Sequence, residues 1–414
     1  MNTRVRVLFS LVAVMATLGL GACGHYTCKA TFGASSCTPA GGGVGSGSGS
    51  GGGGGATISA ANATALVYYM SGSSIKGAGI GGSTFAPLTG YTAPSVSTSF
   101  ADIMLVTKKY VYVPTGNSTV EGFSIARSTG ALTAIPGSPF TATASGAATT
   151  DGAWTDPQGR FLFVGSESSG DIWVFQINAA TGALTETAGS PFTSASASGL
   201  VALSSADIMT VDASGKFLYV GQLSASAAVA AFSIDQITGA LTPIVGSPFN
   251  LGVAQIHASL TGEFLLGVAQ IQDGGSATDT HIHVFSINPA TGVPTEVNGS
   301  PFLTASAPFD FAISPNGKFV YTVGTTSGTT SVGPIEGFQM DTTSGALTKL
   351  GGSPFISLPT ASGCLFDQSG ADLVCADTIS GGKLFVLGAS ATNGALTNVA
   401  TFATTGGFPF GVTD

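Results

Sequence analysis

Histidine and carboxylate cluster once in this sequence, where Asp273-Gly-Gly-Ser-Ala-Thr-Asp279 runs into His281-Ile-His283. On an extended strand alternate side chains share a face, so the two imidazoles would stand side by side with the loop carboxylates close to them. Imidazole with carboxylate is a ligand set for a divalent cation. The competing reading is a polar strand on a surface. A second group of acids, Asp102, Asp151, Asp207 and Asp310, stands at the starts of short apolar strands, two of them in the repeated phrase Ala-Asp-Ile-Met. If those starts converge, the acids form a ring that could hold a cation or polarise a water. Otherwise each bonds to neighbouring loop amides. His257 lies on a similar strand and either faces the same space or is a satisfied core histidine. These groups call for no organic cofactor, only at most a divalent cation. There is no Gly-x-Ser-x-Gly elbow, phosphate loop, Cys-x-x-Cys pair or zincin helix, which argues against most hydrolases, nucleotide enzymes and thiol oxidoreductases.

The elements that would carry these residues repeat. Thr129-Gly-Ala-Leu-Thr with Gly137-Ser-Pro-Phe140 recurs from Thr181, from Thr238 and, more loosely, from Thr291 and Ser344, while Asn393-Gly-Ala-Leu-Thr lacks the second half. The shared glycines are 49 to 57 residues apart, a period that means propeller blades or another repeat array. Each period also holds an apolar strand such as Arg160-Phe-Leu-Phe-Val164 or Lys318-Phe-Val-Tyr321, then a strand with a fixed Phe at 123, 175, 232, 285 or 338. The expected blade has four strands. Strand A ends in a turn such as Ser314-Pro-Asn-Gly317, B is the Phe-Val-Tyr strand, C carries the fixed Phe, and D is the Ala-Leu-Thr strand. Gly-Ser-Pro-Phe is expected to lead from one blade to the next, because proline removes a donor and suits a chain leaving a sheet edge.

Counting strand B copies from Ala65-Leu-Val-Tyr-Tyr69 to Asp372-Leu-Val-Cys375 gives seven. The end of the chain, Phe408-Pro-Phe-Gly-Val-Thr413, resembles the strand A start at Ala307 but has no strand B after it. The fold expected is therefore all-β, a seven-bladed β-propeller of antiparallel blades over residues 58–414. A C-terminal strand should complete the N-terminal blade and so remove two open edges.

Ahead of that body, Arg4 and Arg6 precede an apolar run from Val7 to Leu20, the length of a signal-peptide core and short for a membrane span. It closes in Leu20-Gly21-Ala22-Cys23, which resembles a bacterial lipobox, so residues 1–22 read as a lipoprotein signal peptide and Cys23 as the lipidated residue. With Gly24, not Asp, after the cysteine, the segment resembles lipoproteins sent on to the outer membrane, which implies an outer-membrane or cell-surface location. Residues 23–40 form the lipidated segment, and the Gly/Ser run to residue 57 is a flexible tether. Four cysteines remain. In Cys364-Leu-Phe-Asp-Gln-Ser-Gly-Ala-Asp-Leu-Val-Cys375 a hairpin turning at Gln368 to Ala371 sets the two cysteines opposite one another, giving a cross-strand disulfide or two buried thiols. Cys28 and Cys37 pair by counting alone. With 8% charged residues and a net charge of −9, nothing suits nucleic acid or an anionic lipid surface. Contact with the membrane would then be through the lipid anchor only, and the body is expected to be a monomer.

Ser-Pro-Asn-Gly-Lys-Phe-Val-Tyr, Val-Phe-Ser-Ile and Thr-Gly-Ala-Leu-Thr together resemble the seven-bladed lactonase family, which includes 6-phosphogluconolactonase-like and muconate-cycloisomerase-like propellers. The resemblance spans the propeller from about Ala63. It implies a channel site at the strand A starts, where members with chemistry carry a Pro-His and, along the channel, Arg and Glu. Here the His position holds Phe309, Asp151 and Asp207 in three of the blades, and the propeller's two arginines, Arg127 and Arg160, fall in turns on the opposite face. The loops from B to C, such as Pro114-Thr-Gly-Asn-Ser-Thr119, offer hydroxyls, amides and glycines. The first reading is a binding module for a neutral glycan, an envelope component or a protein partner. The alternative implied by the resemblance is a lactone hydrolase using Asp151, Asp207, Asp310 and His257.

Overall fold

In strand B of every repeat apolar side chains point to both faces, and this two-sided burial decides the architecture. Phe217–Gly221 is buried at all five positions, as are Tyr110–Pro114 and Phe161–Gly165. A strand apolar on both faces must be covered on both, and a ring of blades does this by packing each sheet against two neighbours. The computed structural model contains seven antiparallel sheets, and each wedge between neighbours is filled by one hydrophobic cluster. It describes residues 56–97, 104–143, 150, 152–166, 169–193, 208–221, 228–269, 279–324, 332–359, 361–377, 383–403 and 410–413. The chain is a seven-bladed β-propeller.

Blade one closes the ring in the expected way. Its strands B, C and D are Ala65–Ser71, Ser74–Gly81 and Thr84–Pro87, and its innermost strand is the C-terminal Phe410–Thr413, with Leu66 opposite Thr413 and Tyr69 opposite Phe410.

The Gly-Ser-Pro-Phe phrase does not leave the blade as expected. In blades two to six the outer strand comes in two pieces, both paired with strand C: in blade four Leu241–Pro243 lies beside Phe232–Ile234, and Phe249–Asn250 lies beside Ala228–Val229. Between the pieces the serine hydroxyl takes the place of a ladder carbonyl. Ser138, Ser190, Ser247, Ser300 and Ser353 each accept the N–H of a strand C residue 16 positions earlier, at 2.9–3.1 Å. The Ser-Pro bond is cis in all five copies. Blade seven, which lacks the phrase, has one unbroken outer strand, Leu396–Ala403.

A second device joins blades. The hydroxyls of Tyr68, Tyr112, Tyr219 and Tyr321 donate to the carbonyls of Gly130, Gly182, Gly292 and Gly394 in the following blade, at 2.6–2.8 Å. Each of these glycines is the one in the Thr-Gly-Ala-Leu-Thr phrase or its copy. At Gly292, φ is +73° and a Cβ would lie 2.5 Å from the Phe217 ring, so both the backbone and the close approach require glycine there. Burial pushes all four tyrosines well above the ordinary phenol range.

Candidate functional site

The turns that end strand A are built alike and set the inner wall. Asp156 accepts the N–H groups of Arg160 and Phe161 at 2.6 and 2.9 Å, and Asp212 those of Lys216 and Phe217 at 2.8 and 2.7 Å. Ser314 and Asp367 play the same part for Phe319 and Asp372. With the turns fixed, the inner strands surround a cavity of about 720 Å³, within the roughly 300–1,000 Å³ usual for small-molecule sites. Its wall includes Trp154, Thr210, His257, Phe311 and Phe366, and its rim includes Lys108, Lys109, Gln158 and Gln368 of the A to B turns. It therefore opens on the turn face, not among the hydroxyl-rich B to C loops on which the sequence reading placed binding. Among those loops, only Pro114–Thr119 lies wholly within the described residues. There the Thr115 hydroxyl is buried and bonded to Thr119 within the loop.

His257 is the imidazole on this wall. Its side chain is 21% exposed and sits between the rings of Trp154, 5.9 Å away, and Phe311, 4.9 Å away and edge-on. Two residues earlier on the same strand, Gln255–Ala258, the Gln255 amide nitrogen lies 3.4 Å from His257 Nε2 and donates to Asp310 Oδ1 at 3.0 Å. Asp310 Oδ1 is itself 3.8 Å from His257 Nε2. Its other oxygen accepts the Cys364 N–H at 3.1 Å. Asp310 is thus tied to blades five and seven while standing in blade six, and it is bonded to a neighbouring backbone amide. The Gln255 side-chain oxygen is buried and has no hydrogen-bond partner among the described residues. Sequence reasoning singled out His257 and Asp310 but missed Gln255 and Trp154. Their shared place on strand A was the signal that could have found them.

Asp102, Asp151 and Asp207 lie outside the described residues, so the acid ring is represented by Asp310. Cys23, Cys28, Cys37 and Asp273 also lie outside them. Cys364 and Cys375 are joined across strands A and B of blade seven, with a Cα separation of 4.1 Å and the direct cross-strand register expected. Such bonds persist in oxidising compartments. Both arginines serve the framework. Arg127 donates to the carbonyls of Ala60 and Ala63, and Arg160 pairs with Asp156 and reaches Gln236 of the next blade.

The metal-ligand candidates Asp279, His281 and His283 do come together. His281 Nδ1 is 2.7 Å from Asp279 Oδ1, His283 Nε2 is 3.1 Å from Asp279 Oδ2, and His283 Nδ1 is 3.0 Å from Glu296 Oε1. Burial works to raise the Asp279 carboxyl, but the hydrogen bonds with His283 and His281, together with their charge, bring it below the usual carboxylate range. Among the described residues no group of three or more His, Cys, Asp or Glu is placed so that it could hold a metal ion.

Against known proteins, residues 246–365 match the family model described as Lactonase, 7-bladed beta-propeller. That is the family the repeats resemble. No curated protein matches the sequence. Among solved structures, a protein from Bacteroides fragilis named as a candidate 6-phosphogluconolactonase shares 18% identity and a TM-score of 0.61, over 84% of this chain and 98% of that one. A periplasmic gluconolactonase from Pseudomonas aeruginosa shares 14% identity and a TM-score of 0.57, with the same coverage of each chain. At these identities the likeness is one of fold.

Proposed function

We propose that the protein is a lactone hydrolase working in the central channel, with His257 as general base, rather than the binding module that its charge-poor loops suggest. The observation that carries this is His257 itself: an imidazole on the wall of a cavity of small-molecule size, lined by Trp154 and Phe311 and backed by a carboxylate. The family model matched by residues 246–365 supports the same reaction class.

In this reading a water held at His257 attacks the lactone carbonyl while Nε2 takes its proton. The imidazolium so formed stands 3.8 Å from Asp310 Oδ1. Collapse of the tetrahedral intermediate breaks the ring C–O bond, and the departing alkoxide takes the proton back from His257. The product is a hydroxy acid, the lactone plus one water, whose carboxyl then releases its proton to solvent. The aromatic walls suit the apolar face of a sugar ring. The disulfide is consistent with an exported protein, and anchoring at Cys23 would hold the enzyme at the envelope.

The test is hydrolysis of aldonic γ- and δ-lactones followed by proton release in weakly buffered solution. His257→Gln should lower kcat by about 10²–10⁴-fold, the usual share of a general base, with an unchanged melting temperature. Equal turnover in wild type and variant, or no turnover with any lactone, would overturn the proposal.

A further inference from the structure

In blades two to seven the strand A residues opposite the third residue of strand B are, in turn, Leu105, Trp154, Thr210, His257, Ala312 and Leu365. The shared register puts them at one depth, and all six line the channel cavity. Within this layer His257 is the one side chain that titrates. Thr210 is the other polar member, and its hydroxyl accepts the Ala258 N–H at 2.9 Å. The other hydroxyls along the wall are occupied in the same way. Those of Thr107 and Thr155 donate to the carbonyls of Tyr110 and Phe161 at 3.0 Å, and that of Tyr112 to Gly182 at 2.8 Å. A ligand beside His257 therefore meets chiefly carbon.

The mouth carries the same character on one side. Leu260 and Leu365, 57% and 37% exposed, are two of the five large apolar side chains left exposed among the described residues, and both line this cavity together with Pro315. These three belong to blades five, seven and six. Lys108 and Lys109 stand in blade two, which a ring of seven sets farthest from blades five and six. The rim is thus cationic on one arc and apolar on the other. A hydroxyl-covered lactone would leave polar groups unpaired against such a wall, whereas an aliphatic arm would displace water from it.

We propose that the substrate is a lactone bearing an aliphatic arm, with its ring beside His257 and its arm leaving the channel across Leu260, Pro315 and Leu365. This rests on the hydrolase reading and names its substrate class.

The experiment measures kcat/KM of the full chain by proton release for γ-butyrolactone, γ-hexalactone, γ-octalactone and γ-decalactone, with glucono-δ-lactone as the hydroxylated comparison. Burial of one methylene corresponds to about a fourfold gain. The rate constant should climb by about that factor per methylene through γ-octalactone and exceed that of glucono-δ-lactone. Leu260→Ser/Leu365→Ser should lower the ratio of γ-decalactone to γ-butyrolactone kcat/KM about tenfold. Thermal melts show whether the double variant folds, and Leu260→Ser alone, in an exposed turn, decides if it does not. Binding is read separately in His257→Gln from the fluorescence of Trp154, since the second tryptophan, Trp173, is fully buried. There the Kd of the same γ-lactones should tighten with chain length. His257-dependent turnover that is flat with chain length or fastest on glucono-δ-lactone, or an unchanged ratio in the folded variants, would overturn the substrate class and leave the hydrolase reading standing. Tightening in the binding series with no turnover in wild type would overturn the hydrolase reading and support the apolar ligand. Neither binding nor turnover would overturn both.

Discussion

Asp372 opens strand B of blade seven with its carboxyl pushed up to about 6, first by burial and then by the charge of Asp367. Asp367 cannot turn away. It is 1% exposed, one oxygen accepts the Asp372 N–H at 2.8 Å, and the other takes the Ser369 hydroxyl. An acid whose folded pKa lies above its unfolded value near 3.9 binds its proton more tightly in the folded chain. Its stabilising effect is therefore complete below about pH 4 and is lost as pH rises toward 6. A shift of about two units would be worth roughly 2.7 kcal/mol at a fully buried site. Asp372 is only partly buried, so solvent screening reduces this to about 1 kcal/mol. Asp372→Asn keeps the shape and removes the charge. In urea titrations of wild type and variant, the variant should gain about 1 kcal/mol above roughly pH 7 and nothing near pH 4, with the difference growing between them. A difference that stays flat across that range, or one that is largest in acid, would refute the reasoning.

Two further substitutions test the devices that hold the ring. Tyr219→Phe removes the 2.6 Å bond to the Gly292 carbonyl and should cost about 0.5–1.5 kcal/mol in denaturant unfolding; no change would mean that packing alone joins blades four and five. Ser247→Ala leaves the Ala231 N–H, now 2.9 Å from the serine oxygen, without its acceptor, and a loss of about 1–3 kcal/mol with faster amide exchange at Ala231 is expected. Protection at Ala231 that survives the substitution would show that the hydroxyl does not serve as a rung of the ladder.

What could be read without coordinates was whatever repeats locally. The spacing of the Thr-Gly-Ala-Leu-Thr copies and the strands between them were enough for seven four-stranded blades. The orphan strand A at Phe408–Thr413 was enough for ring closure, and the Gln368–Ala371 turn for the pairing of Cys364 with Cys375. Each depends on neighbours along the chain or on counting repeats, which a linear pattern records. Tertiary structure decided the rest because the determining contacts run radially. The serine of Gly-Ser-Pro-Phe keeps that phrase in the outer strand by reaching back 16 residues, and the tyrosine to glycine bonds cross 62 to 73 residues between blades. The candidate site gathers Trp154, Gln255, His257 and Asp310 from strands A of blades three, five and six. No motif marks that convergence, since each blade gives only one or two side chains to the channel. It exists only once the ring closes and brings the inner strands face to face.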